Sequence, residues 1–167
     1  MARSSPHVSQ TPATAYLKAQ GVAWTEHVYE WTAEGGARRS AQVLGVDPGM
    51  VVKTLIMQDE SAQPLVVLMH GHCKVSTKAL ARQIGRRAVQ PCDPEVAQRH
   101  SGYMVGGTSP FGTRRRMPVY IESSILALPR ILINGGRRGF LIGIDPQCCV
   151  QLLGAQPVQC ALAQSDA

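Results

Sequence analysis

A glycine-rich segment at residues 102–110, which reads GYMVGGTSP, has the composition of a ligand-binding loop. Gly106 and Gly107 carry no side chain, so the backbone can approach a ligand closely here. The main-chain N–H groups of this segment could then converge on a single oxygen atom. Pro110 fixes its own φ and stiffens the exit of the loop. A tight turn between two strands is the alternative interpretation of the same residues.

Lys53 is the one charged residue in an otherwise apolar, β-branched stretch, VVKTLIM at residues 51–57. Lysine is rarely buried without a partner. Either its stem runs along an edge strand to solvent, or its ammonium group points into a ligand pocket. Thr54 follows directly and is expected to project to the opposite face, because successive side chains of a strand alternate.

Two further clusters contain residue types that are used in metal and hydrolase sites. Residues 70–73, HGHC, lack the carboxylate or second cysteine pair that a zinc site would need, so no metal is expected. A hydrolase with Ser109, Cys73 or Cys92 as nucleophile is formally possible, but no nucleophile-elbow motif supports it.

A second glycine-basic turn, GGRRG at 135–139, could complete a phosphate-facing rim.

The charge balance indicates a polyanionic partner. The 167 residues carry a net charge of +6, and much of the excess lies in arginine runs at 38–39, 86–87, 114–116 and 137–138. Guanidinium groups suit phosphate and stack on bases, so clusters that a fold could gather on one face favour a nucleic acid. Five irregularly spaced cysteines, without an apolar signal core, predict reduced thiols and a cytoplasmic location. No apolar run reaches the length needed to span a membrane.

Helical and strand patterns mix along the chain without a strict βαβ rhythm, which predicts an α/β fold of the mixed α+β kind. Thr11-Pro12 predicts a helix start, and Ser40 is expected to cap a short helix that Gly45 ends. Strands are predicted at residues 51–57, 65–69, 119–121, 131–134 and 140–144. We expect a curled, partly barrel-like mixed sheet with helices packed outside it.

The chain is predicted to form one domain over residues 11–162, since its length suits a single core and no linker divides it. Residues 1–10 are expected to be a flexible lead, and residues 163–167 a frayed end.

Taken in order, several segments resemble the YbaK/EbsC family of aminoacyl-tRNA deacylases. They are TPATAYLKAQGVAWTEHVYE at 11–30, VVKTL at 51–55, DPEVAQRHSGYMVGGTSPFG at 93–112 and INGGRRG at 133–139. The likeness covers nearly the whole chain. Within the family it is nearest to the bacterial Cys-tRNA(Pro) deacylases, which also resemble the editing domain inserted in prolyl-tRNA synthetases.

This resemblance implies a trans-editing enzyme that hydrolyses the ester of mischarged tRNA(Pro), with Cys-tRNA(Pro) as the expected substrate. It implies no cofactor and no protein nucleophile, since the thiol of the misplaced cysteine is thought to attack its own ester. Mischarged tRNA(Pro) is the implied partner, and prolyl-tRNA synthetase is a second candidate.

The resemblance also assigns roles to residues. The residues expected to be catalytic are Lys53, Gly106, Gly107, Thr108 and Ser109, with the loop amides stabilising negative charge on the carbonyl oxygen. The residues expected to bind the substrate are Tyr29, Thr54, Pro110, Asn134 and Gly135. The residues expected to bind RNA are Arg114, Arg115, Arg116 and Arg137.

Two positions depart from the cysteine-specific pattern. Asn134 stands where that pattern has a serine, and Leu141 stands where it has an aspartate. Leucine cannot hold an amino group or a ribose hydroxyl as a carboxylate can. A deacylase for alanine, serine or threonine, or a non-catalytic RNA- or synthetase-binding module of the same fold, therefore stays open as an alternative.

Overall fold

The structure is a computed structural model that describes residues 10–163. Within this range there are five α-helices: α1 Pro12–Ala19, α2 Gly36–Leu44, α3 Thr77–Ile84, α4 Pro94–Ser101 and α5 Gln147–Leu153. The strands are β1 Thr25–Val28, β2 Val51–Asp59, β3 Pro64–His70, β4 Cys73–Val75, β5 Val89–Pro91, β6 Val119–Glu122, β7 Ile131–Arg137, β8 Phe140–Ile144, β9 Gln156–Val158 and β10 Ala161–Ala163.

Eight strands form one mixed sheet in the order β1-β8-β7-β2-β3-β6-β9, with β5 paired to β2 beside this path. The β2–β7, β3–β6 and β6–β9 pairs are parallel and the other pairs are antiparallel. Strands β4 and β10 form a separate antiparallel pair. The mixed α/β class is thus confirmed. The sheet is nevertheless open rather than barrel-like, because no pairing between described residues joins its edge strands β1 and β9.

The central strand β2 has two different neighbours along one edge, and this division opens a gap in the sheet. Val51 and Val52 pair with β7, whereas residues 57–59 pair with β5. Residues 53–55 have no strand partner on that edge within the described range. Because buried backbone groups normally find partners, a gap in a central strand is a natural place for a ligand.

Side chains of β2 alternate between the two faces of the sheet. Val52 and Ile56 belong to the core that α1 and α5 cover, and Val51 belongs to a smaller core under α2. By the same alternation Lys53 lies on the face of α2, and Thr54 lies on the face of α1 and α5. The two side chains therefore approach the gap from opposite faces.

The start of α1 anchors both glycine-rich segments. Thr11 is the N-cap of α1 and Pro12 its first residue, as the sequence predicts, and Thr11 forms a reciprocal capping box with Thr14. The Thr11 hydroxyl also donates to the carbonyl oxygen of Gly135 at 2.5 Å. Gly112 packs so closely on this turn that a Cβ there would lie 2.5 Å from the carbonyl oxygen of Pro12. One helix terminus thus holds the two loops in a fixed relation.

Helix α2 begins earlier than the sequence predicts. Ser40 does not cap it but lies inside it, buried, with its hydroxyl donating to the carbonyl oxygen of Ala37 at 2.9 Å. A serine hydroxyl can cap a helix start, but it can also donate to a carbonyl oxygen of the preceding turn inside a helix. Because the sequence has no strong helix-start signal at Gly36, the predicted start is too late. The helix ends at Gly45 in the left-handed conformation, as predicted.

The predicted flexible lead and frayed end lie almost wholly outside the described residues, which include only Gln10 of the lead and only Ala163 of the end. Ala163 is the last residue of β10. The single-domain boundaries stay a prediction. Among the described helices, none combines the length and the apolar character that a membrane span requires.

Candidate functional site

A cavity of about 430 Å³ lies at the gap in the sheet, between α2, α4 and the glycine-rich loop. It brings together six residues that the sequence singled out: Tyr29, Lys53, Thr54, Gly106, Thr108 and Asn134. The remaining wall is mostly apolar and includes Val52, Leu55, Ala97 and Leu141. Concave, mainly apolar sites with a few convergent polar groups are typical of ligand pockets.

Lys53 supplies the cationic group of this cavity. Burial lowers the pKa of its ammonium group, the neighbouring Cys73 thiol opposes that shift, and the nearby charge of Lys74 adds to it. The ammonium has no hydrogen-bond acceptor or carboxylate partner among the described residues. A partly buried, unpaired amine that lines a cavity is available to a bound anion or developing negative charge.

The glycine-rich loop is shaped by close packing on both sides. Gly106 has a φ of +89°, and a Cβ there would lie 3.0 Å from the indole nitrogen of Trp31. A Cβ at Gly107 would lie 2.8 Å from the backbone nitrogen of Arg138. Gly106 therefore requires glycine for its conformation, and Gly107 requires it for the space beside the backbone of Arg138.

The donors of this loop are only partly available. The N–H of Gly107 donates to the carbonyl oxygen of Met104 at 2.8 Å, so it closes the turn. By contrast, the N–H groups of Gly106 and Thr108 donate no hydrogen bond within the described range. These two residues line the cavity. Two main-chain donors can therefore serve a ligand there.

Asn134 joins the glycine-rich loop to the β7–β8 turn. Its Oδ1 accepts from the N–H groups of Gly136 at 2.6 Å and Arg137 at 3.0 Å. Its Nδ2 donates to the carbonyl oxygens of Gly106 and Arg137, each at 3.2 Å. Both ends of the amide are thus engaged by protein, which makes Asn134 a brace of the loop as well as a wall residue.

Trp31 and Arg138 form a stacked pair beside the loop that sequence reasoning missed. The guanidinium carbon of Arg138 lies 4.2 Å from the centroid of the Trp31 ring, and its Nε donates to the carbonyl oxygen of Val105 at 2.9 Å. Trp31 lines the cavity, and its indole N–H has no acceptor in the described part of the chain. In the sequence, the only indication of this pair is that Trp31 lies in a polar segment shortly after a strand.

Tyr29 and Leu141 lie on the face of the sheet that α2 covers. Burial raises the pKa of the Tyr29 phenol, while a hydrogen bond with Ser40 and the charge of Arg39 lower it to a smaller extent. Leu141 is paired with Asn134 across β7 and β8 and is 4% exposed. At this point the cavity wall is apolar and uncharged.

The cavity passes through the gap to the other face of the sheet. Thr54, Cys92 and Ala97 line that side. The Thr54 hydroxyl is buried and has no partner in the described structure. Burial raises the pKa of the Cys92 thiol and, on the opposite face, that of Cys73. Neither cysteine has the lowered pKa that marks a thiolate nucleophile.

Some predicted site residues lie outside this cavity. Ser109 is fully buried, and its hydroxyl accepts from the N–H of Phe111 at 3.2 Å. Gly135 packs on Phe140, which would lie 2.5 Å from a Cβ at that position. Pro110 lines a separate cavity together with Arg114. Their predicted roles therefore concern the loop's shape or another surface.

The four arginines predicted to bind RNA have different neighbours. Arg114 and Arg116 line the second cavity. The side chain of Arg115 instead lies 3.4 Å from the His100 ring nitrogen. The guanidinium of Arg137 lies 5.6 Å from the ring centroid of Phe140.

The HGHC segment has a structural explanation. The Nδ1 of His70 lies 2.8 Å from the carbonyl oxygen of Gly49, which can only accept, so this nitrogen carries the proton. The Nε2 then accepts from the hydroxyl of Ser124 at 2.7 Å. Among the described residues, no group of three or more histidine, cysteine or acidic side chains is placed to hold a metal.

Comparison with known proteins identifies the family of this chain. Residues 35–152 match the family model described as an aminoacyl-tRNA editing domain. The chain is 26% identical over 148 residues to EbsC of Enterococcus faecalis, which carries the name of a Cys-tRNA(Pro)/Cys-tRNA(Cys) deacylase, across 88% of this chain and 90% of that protein. It is 21% identical over 86 residues to a proline–tRNA ligase of Brachyspira hyodysenteriae, across 52% of this chain and 15% of that one.

A solved structure shares the fold. It is described as a trans-editing enzyme for prolyl-tRNA synthetase and has a TM-score of 0.79 and 23% identity. The match covers 96% of this chain and all of that one.

Proposed function

Because the chain belongs to the family of aminoacyl-tRNA editing domains, we propose that it is a trans-editing deacylase for mischarged tRNA(Pro), acting mainly on Cys-tRNA(Pro). The observation that carries this proposal is the meeting of Lys53 with the free N–H groups of Gly106 and Thr108 at one cavity. These groups can stabilise the negative charge that develops on the carbonyl oxygen when an ester is cleaved.

Ester hydrolysis develops negative charge on the carbonyl oxygen. We assign the N–H groups of Gly106 and Thr108 to that oxygen, because preorganised amide donors stabilise such charge without reorganising. The unpaired Lys53 ammonium adds a positive charge to the same cavity. Gly107 and Ser109 support this arrangement indirectly, since their polar groups close the loop on itself.

The geometry favours a mechanism without a protein nucleophile. The Cys92 and Cys73 thiols have raised pKa values, and the Ser109 hydroxyl is buried against Phe111. The attacking group would then be water or, with a cysteinyl ester, the substrate's own thiol acting on its carbonyl carbon. The bond to the terminal ribose breaks, and the ribose oxygen takes up the proton that the water or the thiol loses. Attack by water gives the free amino acid directly, whereas attack by the thiol gives a cyclic thioester that water then opens to cysteine.

The cavity wall supports a small, uncharged amino-acid side chain. Leu141, which stands where the cysteine-specific pattern has an aspartate, is buried in the cavity wall. Ala97 and Leu55 continue this apolar surface. Cysteine fits this wall, and alanine, serine and threonine are the alternative substrates. The relation of EbsC and of proline–tRNA ligase to this chain supports tRNA(Pro) as the carrier, with prolyl-tRNA synthetase as a candidate partner in the cytoplasm.

Deacylation of tRNA(Pro) charged with cysteine, alanine, serine or threonine tests the proposal. The Lys53→Ala variant should lose roughly 100-fold or more in rate, as for removal of a charge-stabilising group. Lys78→Ala is the matched control, because Lys78 is exposed on α3 and does not line the cavity. A parental rate for Lys53→Ala contradicts the assignment of Lys53.

A non-catalytic module of the same fold is the second candidate, and the apolar Leu141 position favours it. It predicts no turnover with any charged tRNA(Pro), together with binding that weakens as salt rises. The same panel of substrates separates the two candidates.

A further inference from the structure

A second cavity, of about 360 Å³, lies beside the exit of the glycine-rich loop, and the catalytic proposal does not use it. Its wall combines Arg114 and Arg116 with an apolar surface that includes Tyr16, Pro110, Met117 and Leu152. None of its lining residues is shared with the first cavity. We call this the arginine groove.

The two arginines present unbalanced positive charge. Both are exposed, and neither forms an ion pair with a carboxylate within the described residues. The side chain of Arg115 instead contacts the ring of His100. The backbone is fixed here, since the N–H of Arg114 donates to the carbonyl oxygen of Ser101 at 2.9 Å.

The apolar side of the groove is held in place before any ligand binds. The Tyr16 ring stacks on Phe111 with 6.2 Å between centroids, and its hydroxyl donates to the carbonyl oxygen of Leu152 at 3.3 Å. The Tyr103 hydroxyl donates to the carbonyl oxygen of Phe111 at 2.6 Å. A preorganised site loses less entropy on binding.

The groove and the first cavity share one loop. Thr108 lines the first cavity and Pro110 lines the groove. Two residues of extended chain span at most about 7 Å, so the walls of the two cavities are close neighbours. A ligand larger than an aminoacyl group can therefore contact both.

We propose that the arginine groove binds a backbone phosphate of the RNA whose aminoacyl end occupies the first cavity, which rests on the function proposed above. Two guanidinium groups without a carboxylate match a phosphodiester, because each can donate two parallel hydrogen bonds. The apolar surface beside them suits a ribose or a base. The groove thus gives the enzyme a hold on the tRNA that is separate from its hold on the amino acid.

The first experiment measures binding of uncharged tRNA to the Arg114→Ala/Arg116→Ala variant as salt is varied. Lys78→Ala/Arg82→Ala is the matched control, since it removes the same charge from the exposed side of α3. The groove variant should bind at least tenfold more weakly at low salt. Its slope of log affinity against log salt should also be less steep, by roughly 0.7–0.9 for each phosphate that the protein no longer neutralises. The control should keep the parental slope.

The second experiment compares charged tRNA with an aminoacyl-adenosine, which has no backbone phosphate. We expect the groove variant to show a raised KM for charged tRNA and little change with aminoacyl-adenosine. The Arg114→Lys/Arg116→Lys variant keeps the charge but loses the planar fork, so it should restore tRNA binding only in part.

Three outcomes would overturn the proposal. Parental affinity and salt slope in the groove variant would show that no phosphate binds there. If KM rose equally for aminoacyl-adenosine and for charged tRNA, the arginines would act on the first cavity or on folding. Loss of synthetase binding with tRNA binding intact would assign the groove to an acidic protein surface. Because uncharged tRNA needs no turnover, the binding result stands even if no substrate is deacylated.

Discussion

The Nδ2 atom of Asn134 lies 3.2 Å from the carbonyl oxygen of Gly106, so strand β7 holds the glycine-rich loop through a single side chain. This bond orients the peptide that follows Gly106. The Gly106–Gly107 peptide, which lies between the free N–H groups of Gly106 and Thr108, is therefore held by a residue that is distant in sequence.

Asn134→Asp should uncouple the glycine-rich loop and keep the two hydrogen bonds that residue 134 accepts in the β7–β8 turn, while losing the one that Asn134 donates to the carbonyl oxygen of Arg137. An aspartate oxygen can still accept from the N–H groups of Gly136 and Arg137, but its second oxygen would face the carbonyl oxygen of Gly106 without a proton to donate. We expect the single-turnover deacylation rate to fall about tenfold to 100-fold, as for misplaced catalytic groups. Asn134→Ala should lose stability as well, by about 1–3 kcal/mol. Parental activity in the aspartate variant would show that the bond from Asn134 to Gly106 does not position the loop for catalysis.

Lys53→Met should stabilise the protein at neutral pH, whatever its effect on catalysis. Burial lowers the pKa of Lys53 in the folded state below its ordinary value of 10.5, so the charged form costs stability. The unfolded chain holds this proton up to higher pH, and folding stability therefore rises with pH between the folded pKa and 10.5. Urea unfolding of the parent should show this rise, which the variant should lack. A variant less stable than the parent at pH 7 would show that Lys53 is favourably paired.

The sequence identified those parts of the site that depend on local chemistry. The glycines of the loop and the isolated Lys53 stand out by composition alone, and the Thr11-Pro12 cap follows from residue preferences at helix starts. The function followed from resemblance over long segments. The signals for the loop, for Lys53 and for the helix start each lie within a few consecutive residues.

The parts that the sequence did not identify depend on long-range contacts. The gap in β2 exists because β5 and β7 share one edge of that strand, which no local pattern encodes. The Trp31–Arg138 stack joins residues that are far apart in the chain. The run at 114–116 looks like one patch, yet Arg114 and Arg116 line the second cavity whereas the side chain of Arg115 contacts His100.

Gly107→Ala should impair both stability and deacylation. Its Cβ would lie 2.8 Å from the backbone nitrogen of Arg138, and a backbone neighbour cannot rotate away as a side chain can. Overpacking of this kind costs about 1–3 kcal/mol. Gly85→Ala is the control, because Gly85 has open space and a φ of +75°, so only backbone strain is added at the end of α3. Thermal unfolding should show losses in both variants, and the deacylation rate should fall only for Gly107→Ala.

Cys73→Ala/Cys92→Ala should keep most of the deacylase activity. Burial raises the pKa of both thiols, so at neutral pH they stay protonated and are poor nucleophiles. Rates with Ala-tRNA(Pro) are the sharper measurement, since that substrate has no thiol of its own. Complete loss of activity in a folded double variant would revive a cysteine-nucleophile mechanism.

The Trp31–Arg138 pair should contribute through mutual contact as well as through each residue alone. Trp31→Ala, Arg138→Ala and the double variant form a cycle, and we expect a coupling of about 0.5–2 kcal/mol in the free energy of unfolding, as for a cation placed over an indole ring. Trp31→Phe should keep part of the coupling, because phenylalanine retains a weaker π-face. The Arg138 side chain also holds the carbonyl oxygen of Val105, so Arg138→Ala alone should loosen the loop and lower the deacylation rate. Additive losses across the cycle would mean that Trp31 supports the cavity wall and that the stacked geometry contributes nothing further.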